Sequence, residues 1–519
     1  MILGDVIERN ERCFGTHPAL LFEGRVITHG EFAARVRRLI NALTAMGCKR
    51  QDRIAVLSRN CPEYLEAYGA AALGGFIAVG VNYRLSAPEQ ADILNDAAPS
   101  VLMYEPEYAD RVEELRALLP PATRYICFGP ATSHALAYED VMAGSHEGTP
   151  SIRAEEDDTL FLIYTSGTTG KPKGVMLGNG GQLEQARAQA ISHCAAQTDR
   201  MLIVMPFYHI GGPTELLTYL VTGSTIVLHR TFEAHAILKS MQDSGVTAAH
   251  LAPTMIQMVL EVQEKTPYDL ACLHTIIYAS APMSVALSKR ARAAFGPVFM
   301  QIYGMSELGL GSVLLKHQHI LDGTPAQVKR LASAGQPYLG TDMKIVGKNG
   351  KPCAVGETGD LLMRSKALMQ GYWDRPEQTR EALPADGFLR TGDMGYFDDE
   401  GFLFIVDRKK DMVVSGGENI YSREVEEVLL QHPAVAEAAV IGVPDAKWGE
   451  SVMAFLVMKA GMGVTEDEVV AHCKQSLASY KKPKFVKVID VMPRVVSTNK
   501  IDKRALREPF WAGSDRQVG

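Results

Sequence analysis

Short apolar runs separated by longer amphipathic stretches dominate the first hundred residues of the chain. Residues 53–58 (RIAVLS), 76–81 (FIAVGV) and 100–105 (SVLMYE) each have the length and composition of a buried strand. The middle of the chain continues in this style with FLIYTS, RMLIVM, STIVLH and LHTIIYAS. Strands that alternate with helices predict a parallel sheet covered by helices, whose ligands bind beyond the carboxyl ends of the strands.

Two capping boxes mark where helices begin between these strands. Thr28 with Glu31, and Ser86 with Glu89, place a hydroxyl residue three positions before a glutamate. In this arrangement each side chain binds a free backbone N–H group of the first helical turn. We therefore predict helices that begin directly after Thr28 and Ser86.

The pattern changes near Asp407, where the charged run DRKKD is followed by a pair of glycines. A compact α+β pattern of about a hundred residues fills the rest of the chain. We therefore predict an α/β fold with a large N-terminal domain, residues 1–408, and a small α+β domain, residues 411–519.

Composition narrows the class of protein. The chain has 519 residues, a net charge of −7 and no long basic run, so we expect more than one domain and no nucleic-acid partner. The eight cysteines show no metal-ligand spacing, which favours reduced thiols in a cytoplasmic protein. The N-terminus lacks the apolar region of a signal peptide, and no run is long and apolar enough for a membrane span.

The strongest motif is YTSGTTGKPKGVM at residues 164–176, directly after an apolar strand. Glycines let backbone N–H groups approach phosphate oxygens, hydroxyl groups add donors, and Lys171 or Lys173 supplies positive charge. Pro172 stands where a P-loop would have a hydroxyl residue, so this is a different kind of phosphate loop. A flexible hairpin loop is the alternative interpretation.

This motif resembles the phosphate loop of the adenylate-forming superfamily, which includes acyl- and aryl-CoA synthetases, luciferases and peptide-synthetase adenylation domains. The resemblance implies a large α/β domain with a small β-barrel, and a mobile C-terminal domain that meets it at the active site. It also implies ATP, Mg²⁺ and coenzyme A as ligands, with Thr165 near the metal. The phosphate contacts that it implies are Thr165, Ser166, Gly167, Thr168, Thr169, Gly170 and Lys173.

Two further motifs resemble the nucleotide site of that superfamily. In QIYGMSE, residues 301–307, Glu307 is implied as a Mg²⁺ ligand, because a hard cation prefers carboxylate oxygen. A solvated loop acid is the alternative for Glu307. The remaining nucleotide contacts that the resemblance implies are Tyr303, which stacks on adenine, Gly304, Met305 and Ser306, and the backbone turn Ser280, Ala281 and Pro282.

Asp393 and Arg408 resemble the residues that bind the ribose hydroxyls. A carboxylate accepts hydrogen bonds from a diol, which suits Asp393 to this role. Lys410 matches the hinge position about which the C-terminal domain turns. A solvated charged turn is the alternative for the DRKKD run.

The C-terminal region contains two further resemblances. SGGENIY contributes Ser415, Gly416, Gly417 and Glu418, which are implied to line the pantetheine tunnel, although the segment also suits the first turn of a helix. Lys500, in STNK before IDK, matches the catalytic lysine. A surface lysine is the alternative, and Lys503 is the nearest competitor.

The acid pocket is the least specified part of the site. His209, in PFYHIGG, could orient the carboxylate or simply pack in the core. We expect Gly211 and Gly212 to leave space for a sizeable acyl group. Tyr208 and Tyr278 could instead wall a shorter, flatter pocket.

The motifs together predict an ATP-dependent, AMP-forming acid:CoA ligase. The resemblance favours a medium- or long-chain fatty acid over an aryl or alicyclic acid. Three further functions stay open: transfer to a separate carrier protein, a luciferase-type oxygenase, and a non-catalytic nucleotide-binding module. The non-catalytic module predicts loss of Glu307, Asp393 or Lys500, and all three are present. A homodimer is possible.

Overall fold

The computed structural model describes residues 1–120, 123–165, 172–279, 283–416, 418–445, 447–495 and 500–511. The chain divides by its internal contacts into two compact units. The first unit holds residues 1–343 and 363–389, and the second holds residues 344–362 and 390–519. The sequence-based division into 1–408 and 411–519, with a hinge near Lys410, stays a prediction.

The helices lie mainly in the first unit and cover its sheets. They are α1 (Leu3–Phe14), α2 (His29–Ala45), α3 (Pro62–Gly74), α4 (Ala87–Ala97), α5 (Ala109–Arg116), α6 (Tyr138–Ala143), α7 (Asn179–His193), α8 (Gly211–Leu220), α9 (Ala234–Asp243), α10 (Pro253–Lys265), α11 (Val285–Phe295), α12 (Pro325–Lys329), α13 (Pro376–Ala382), α14 (Ser422–Leu430), α15 (Glu466–Ser476) and α16 (Lys503–Trp511).

The strands are short, as the apolar runs predict. They are β1 (Pro18–Phe22), β2 (Arg25–Thr28), β3 (Arg53–Leu57), β4 (Ile77–Gly80), β5 (Val101–Tyr104), β6 (Arg124–Cys127), β7 (Leu136–Ala137), β8 (Thr159–Thr165), β9 (Lys173–Gly178), β10 (Arg200–Ile203), β11 (Thr225–Leu228), β12 (Ala248–His250), β13 (Thr275–Tyr278), β14 (Phe299–Met305), β15 (Gly309–Leu314), β16 (Gln336–Pro337), β17 (Asp342–Val346), β18 (Gly359–Arg364), β19 (Gly371–Tyr372), β20 (Leu389–Phe397), β21 (Leu403–Arg408), β22 (Val413–Ser415), β23 (Glu418–Ile420), β24 (Val435–Asp445), β25 (Gly449–Met458) and β26 (Phe485–Val488).

Two mostly parallel sheets form the first unit. One has the strand order β16-β15-β14-β13-β12-β10-β11-β1-β2, and the other has the order β19-β9-β8-β4-β3-β5-β6-β7. In each sheet the central strands are parallel, and an antiparallel hairpin leads to one edge: β14–β15 in the first and β8–β9 in the second. Both sheets have cores of buried aliphatic and aromatic side chains, so the predicted α/β class is confirmed.

The capping boxes start helices where the sequence predicts them. Helix α2 follows Thr28, whose side chain accepts a hydrogen bond from the Glu31 backbone, and α4 follows Ser86, with Glu89 completing the box. Such caps each stabilise a helix by about 1 kcal/mol, because they satisfy N–H groups that the helix itself leaves free. Residues three positions apart in the sequence therefore determine where these helices begin.

The second unit contains two antiparallel arrangements. Strands β17, β18, β20 and β21 form one sheet in that order, and the small β-barrel that the resemblance implies for the N-terminal domain stays a prediction. Strands β23, β22, β25 and β24 form the other, with β26 parallel to β25. Helices α14 and α15 cover this second sheet through a core that includes Val425, Val440 and Cys473. In the described part of the chain, no helix combines the length and apolar character of a membrane span.

Candidate active site

The glycine-rich loop connects two antiparallel strands of the first unit. Thr165 at the end of β8 lies directly opposite Lys173 at the start of β9, and both are half-buried. The pairing therefore holds a hydroxyl group and a cation at the two ends of the loop. The predicted phosphate contacts Ser166, Gly167, Thr168, Thr169 and Gly170 lie outside the described residues.

Tyr372 connects Lys173 to Glu307. Its hydroxyl group donates a hydrogen bond of 2.9 Å to Glu307 Oε1, and Lys173 Nζ lies 5.3 Å from the centroid of its ring. The latter geometry is a cation–π contact. Strand β19 makes this possible because Tyr372 pairs with Val175 on β9, two residues after Lys173. Sequence reasoning did not identify Tyr372. The one feature that could have drawn attention to it is the pair of aromatic residues, Tyr372 and Trp373, that follows Gly371.

The surroundings of Glu307 suit a magnesium-binding carboxylate. The side chain is half-buried, and its backbone carbonyl accepts a hydrogen bond of 2.8 Å from Met369 N–H. Burial and the Glu307 charge raise the pKa of Tyr372, so its hydroxyl remains a donor to that carboxylate at neutral pH.

Mg²⁺ would need the nucleotide to complete its ligand shell at Glu307. Among the described residues, no group of three or more His, Cys, Asp and Glu side chains is arranged to hold a metal. Magnesium is commonly held by one or two carboxylates together with substrate phosphates. Glu307 beside the phosphate loop therefore fits Mg²⁺ that arrives with ATP.

The β14–β15 hairpin places the adenine-site candidates next to Glu307. Gly304 allows the two strands to approach closely, because a Cβ atom there would lie 2.0 Å from the Gly309 carbonyl oxygen. Tyr303, Met305 and Ser306 are half-buried on the same strand end. The remaining candidates, Ser280, Ala281 and Pro282, follow the neighbouring strand β13 and lie outside the described residues.

Asp96 fixes the end of β8 to the segment that carries Tyr372. Its carboxylate accepts hydrogen bonds of 2.8 Å from the Tyr164 hydroxyl and 2.6 Å from Arg375 Nη2. Its carbonyl oxygen accepts a bond of 3.1 Å from Trp373 Nε1. These three bonds fix Tyr164, which precedes Thr165, and Trp373 and Arg375, which follow Tyr372.

His209 lies just before helix α8 with a defined ring orientation. Gly211 N–H donates a hydrogen bond of 3.2 Å to His209 Nδ1, so the neutral ring carries its proton on Nε2. The neighbouring His250 places its Nδ1 3.2 Å from the Gly211 carbonyl oxygen. Burial lowers the pKa of His250 to about 4, so His250 is neutral and donates that bond.

The expectation that Gly211 and Gly212 open space for the acyl group is wrong. A Cβ atom at Gly211 would lie 3.3 Å from the His250 ring, and one at Gly212 would lie 2.7 Å from the Pro206 carbonyl oxygen. Both glycines are therefore needed for close packing at the start of α8. Glycine in a sequence indicates a missing side chain but does not reveal what occupies the space.

Tyr208 and Tyr278 pack in the interior. Tyr278 is 1% exposed within the core of the first unit, and its hydroxyl group is 3.2 Å from Gln301 Oε1 and 3.0 Å from His319 Nε2. Tyr208 is also buried and contacts Tyr83 edge to face. Both rings are thus committed to protein contacts, which gives no support to a pocket walled by them.

The ribose candidates form an ion pair in the second unit. Arg408 Nε lies 3.1 Å from Asp393 Oδ1, because the two residues pair across β20 and β21. Asp393 N–H also donates to the Thr391 hydroxyl at 3.1 Å. Gly392, between Thr391 and Asp393, has φ +75°, a left-handed conformation that glycine adopts without strain. Asp393 is thereby held as a buried carboxylate with a defined partner.

Lys500 lies near this ion pair. The residue is exposed to solvent and interacts electrostatically with Arg408 and Asp393. Burial of its ammonium group lowers the pKa of Lys500, the Arg408 charge lowers it further, and Asp393 opposes the shift. Lys410, the predicted hinge residue, is exposed after β21, and its carbonyl oxygen accepts a bond of 3.1 Å from Arg507 Nη1.

Lys503, the competitor of Lys500, is occupied by structural partners. Its ammonium group donates to the Ser422 hydroxyl at 2.6 Å and lies 2.8 Å from Glu426. Asp407 binds the same Ser422 hydroxyl at 3.2 Å. This half-buried network ties α16 to α14, so Lys503 is bound within its own unit.

The loop proposed for the pantetheine arm is a tight turn between β22 and β23. Ser415 pairs with Glu418, Gly416 has φ +61°, and Gly417 lies outside the described residues. A Cβ atom at Gly416 would lie 2.8 Å from the Trp448 ring, whose side chain is half exposed. Trp448 is therefore a further candidate for contact with the thiol arm, and the sequence did not single it out.

Comparison with known proteins agrees with these motifs. Residues 7–373 match the model of the AMP-binding enzyme family, and residues 424–499 match that of the AMP-binding enzyme C-terminal domain. The chain is 35% identical to feruloyl-CoA synthase of an Amycolatopsis species over 98% of this chain and 99% of that protein. It is 36% identical to long-chain-fatty-acid–CoA ligase FadD13 of Mycobacterium tuberculosis over 94% of this chain and 93% of that protein.

A solved structure of similar fold contains a reaction intermediate. It is that of o-succinylbenzoate CoA synthetase, MenE, from Bacillus subtilis in complex with the acyl-adenylate intermediate OSB-AMP. The TM-score is 0.85 and the identity 31%, over 99% of this chain and 98% of that chain. The chain belongs to the AMP-binding enzyme family and, within that adenylate-forming superfamily, to the AMP-forming acid:CoA ligases.

Proposed function

We propose that the cluster of Lys173, Tyr372 and Glu307 serves the adenylation step of this ligase. A carboxylate oxygen of the acid forms a bond to the α-phosphorus of ATP, and the bond to pyrophosphate breaks. The supporting observation is that one tyrosine links a cation at the end of the phosphate loop to a carboxylate suited to Mg²⁺. Mg²⁺ held by Glu307, with Thr165 as a further oxygen ligand, supplies charge neutralisation at the phosphates.

Three residues of the second unit are proposed to act on the nucleotide. Asp393 and Arg408 bind the ribose hydroxyls, and Lys500 stabilises the negative charge that develops on the α-phosphate and the attacking oxygen. The support for Lys500 over Lys503 is that Lys503 is bound to Ser422 and Glu426.

The second half-reaction forms the thioester. The CoA thiol attacks the acyl carbon, the C–S bond forms, and AMP leaves with the oxygen that joined it to the acyl group. The pantetheine arm is proposed to pass along the turn at 415–418, where the half-exposed Trp448 ring packs against Gly416 and offers an apolar surface. No strong cation is required at this step, since AMP is already a good leaving group.

His209 is proposed to position the acid. Its Nδ1 accepts the Gly211 N–H bond, so in the neutral ring Nε2 is the nitrogen that carries the proton and could donate to a substrate carboxylate. This is a positioning role, because a hydrogen bond to the carboxylate orients the oxygen that attacks phosphorus.

The class of acid is the finer part of the proposal. Relatives of similar identity have names of both kinds, a feruloyl-CoA synthase and a long-chain fatty-acid ligase. The sequence favours a fatty acid, yet the two glycines that would open room for a chain are packed against protein atoms. A buried network of glutamine side chains on α7 and Glu215 on α8 instead favours a polar, aromatic acid.

The test separates the two half-reactions and the two acceptors. Acid-dependent exchange of labelled pyrophosphate into ATP, without CoA, reports adenylation alone. Thioester formation is then compared with CoA and with a purified acyl carrier protein. We expect exchange with one class of acid and thioester with CoA. Exchange with no acid, or transfer to the carrier protein alone, would contradict the proposal. A cytoplasmic location and a homodimer stay predictions.

A further inference from the structure

A polar stripe runs along one face of helix α7 inside the first unit. Gln182, Gln185, Gln189 and His193 are spaced by three or four residues, so they share one face. All four are at least 94% buried. The amide of Gln182 donates to Gln185 at 3.5 Å, and that of Gln185 donates to Gln189 at 3.3 Å. Four buried polar side chains in a row are unusual, because each loses hydration on folding.

At the end of the stripe, the side chains of Glu215 and His193 each have one polar atom without a hydrogen-bond partner among the described residues. Gln189 Nε2 donates to Glu215 Oε1 at 3.2 Å, and His193 Nε2 lies 3.2 Å from the Tyr338 hydroxyl. The other atoms of the pair, Glu215 Oε2 and His193 Nδ1, are buried and have no partner among the described residues. They lie 3.7 Å apart, which is too long for a hydrogen bond between them.

Neither group is charged at neutral pH. Burial raises the pKa of Glu215 to about 8, although the Gln189 hydrogen bond opposes the shift. Burial lowers the pKa of His193 to about 3. Because Oε1 accepts the Gln189 bond, the proton of Glu215 belongs on Oε2, where it can be donated. A proton on His193 Nδ1 would face the proton of Glu215 Oε2 at 3.7 Å, so we place the imidazole proton on Nε2, which then donates to the Tyr338 hydroxyl, and Nδ1 is an acceptor. The pair therefore offers one donor and one acceptor, side by side.

The pair is linked to the elements that carry the proposed active site. Helix α8 begins at Gly211, two residues after His209. Glu215 comes four residues after Gly211, which corresponds to a rise of about 6 Å along the helix axis. At the other end of the stripe, Gln185 packs against Gly309, where a Cβ atom would lie 2.0 Å from Gln185 Oε1. Gly309 comes two residues after Glu307. The stripe thus runs from the Glu307 hairpin to the helix that follows His209.

We propose that Glu215 and His193 form the far end of the acid pocket and bind a hydroxyl group of the substrate, so that the acid is a hydroxylated aromatic carboxylic acid. The hydroxyl accepts a hydrogen bond from the Glu215 carboxyl group and donates one to His193 Nδ1. Both unpartnered atoms are then satisfied. This inference rests on the proposed function, because it takes His209 as the residue that holds the carboxyl group.

Other acids fit this pair less well. A saturated fatty acid supplies no hydrogen-bonding group and leaves both atoms unpaired, which is costly in a buried site. A second carboxylate would require a cation, and none of the residues that bond to Glu215 or His193 in the described structure is Lys or Arg. A rigid aromatic acid holds its hydroxyl at a fixed distance from its carboxyl group, which suits His209 just before α8 and Glu215 on that helix.

The test compares acids that differ by a single hydroxyl. The kcat/KM for AMP formation is measured with 4-hydroxycinnamic and cinnamic acid, with 4-hydroxybenzoic and benzoic acid, and with decanoic acid. The wild-type enzyme is expected to favour the hydroxylated member of at least one pair by about tenfold or more. Glu215→Met should abolish that preference, because the variant no longer offers a donor to the hydroxyl group of the substrate. Glu184→Gln, on the exposed face of α7, is the matched control and should keep the preference.

Equal conversion within both pairs, higher conversion of decanoic acid, or a preference that persists in Glu215→Met would overturn the proposal. Should Glu215→Met fail to fold, His193→Phe removes the acceptor of the pair and should lose the preference, whereas Glu215→Gln keeps an acceptor and a donor in the same positions and should retain it. Calorimetric binding of each acid to the wild-type protein without ATP is measured in parallel. Loss of AMP formation with every acid rejects the proposed function, whereas equal binding within both pairs rejects the hydroxyl site alone.

Discussion

Two glutamates of the first unit stand in opposite environments. Glu307 is half-buried at a strand hairpin and accepts a hydrogen bond from the Tyr372 hydroxyl group. The ring of the same tyrosine contacts the Lys173 ammonium group. Glu215 is fully buried between helices, and burial raises its pKa to about 8. Glu307 is therefore partly accessible to water and close to a charged lysine. Glu215 is inaccessible to water, and its hydrogen-bond partner is the neutral Gln189.

The difference relates to what each region would bind. Phosphates and Mg²⁺ bring their own charge, so a site for them benefits from charged groups that stay partly hydrated. A neutral hydroxyl brings no charge, so its site can be dry, but each donor and acceptor in it must find a partner. We therefore expect mutations at Glu307 to affect the chemistry with all acids, and mutations at Glu215 to affect the choice of acid.

The largest effect is expected for Glu307→Gln. The amide keeps the shape of the side chain but removes the charge that would hold Mg²⁺, so adenylation should fall by about a thousandfold. Pyrophosphate release is measured across a Mg²⁺ titration, with Glu261→Gln, an exposed glutamate of α10, as control. Release close to that of the wild type in Glu307→Gln would remove Glu307 from the metal site.

Two lysines of the second unit are expected to respond differently to mutation, because Lys503 is bound to Ser422 and Glu426 and Lys500 lies near the Asp393–Arg408 pair. Lys500→Ala should lower acyl-adenylate formation by about a hundredfold, because it removes a charge that acts in the transition state. Conversion of supplied acyl adenylate to acyl-CoA should change much less. Both half-reactions are measured separately for this variant.

Lys503→Ala is the matched comparison for Lys500→Ala. It leaves Glu426 without its cation, so it should lower thermal stability and reduce both half-reactions together, in proportion to the folded fraction. The assignment is wrong if Lys500→Ala loses both half-reactions equally, or if only Lys503→Ala loses adenylation.

A smaller effect is expected for Tyr372→Phe. The variant keeps the ring over Lys173 and removes one hydrogen bond to Glu307 Oε1. A hydrogen bond to a charged group contributes about 1.5–3 kcal/mol, so adenylation should fall by at least about tenfold, with a higher Mg²⁺ requirement. Tyr396→Phe in the second unit is a control for the loss of a tyrosine hydroxyl. An unchanged Mg²⁺ requirement would show that Tyr372 does not tune Glu307.

The smallest effect concerns stability and pH. In the folded protein Glu215 keeps its proton up to pH about 8, whereas its ordinary pKa is 4.5. The folded state therefore holds the extra proton in this range, and stability decreases as pH rises towards 8. His193, with a pKa lowered from 6.5 to about 3, acts in the opposite direction only below about pH 6.5. The Glu215 contribution is therefore clearest between about pH 6.5 and 8.

Glu215→Gln removes this titration. Relative to the wild type, the variant should gain on the order of 2 kcal/mol of stability between pH 6.5 and 8, since each pH unit in the window corresponds to about 1.4 kcal/mol. Thermal unfolding midpoints of both proteins across that range provide the measurement, with Glu184→Gln as control. A constant difference between Glu215→Gln and the wild type would contradict the raised pKa.

The sequence predicts the local features of this fold well. The capping boxes at Thr28 and Ser86 start helices as expected, because a cap depends on residues three positions apart. The apolar runs become strands, and the flanks of the phosphate loop pair as a hairpin. These features depend on neighbours in the chain, which a sequence states directly.

Features that depend on distant residues could not be predicted in this way. Tyr372 reaches Glu307 only because β19 pairs with β9, far away in the sequence. Gly211 was expected to open space, and the structure places His250 there. The spacing of the α7 stripe was visible in the sequence, but a polar stripe on a helix usually faces solvent, and only the packing shows that this one is buried.

The central claim is that the acid is activated by attack of its carboxylate oxygen on the α-phosphorus of ATP. The most direct measurement uses the best substrate acid labelled with ¹⁸O in its carboxyl group, in a complete reaction with ATP, Mg²⁺ and CoA. The AMP and pyrophosphate products are then analysed by mass spectrometry. We predict one ¹⁸O atom in AMP for each acyl-CoA formed and none in pyrophosphate. Unlabelled AMP, or label in ADP or inorganic phosphate, would contradict it.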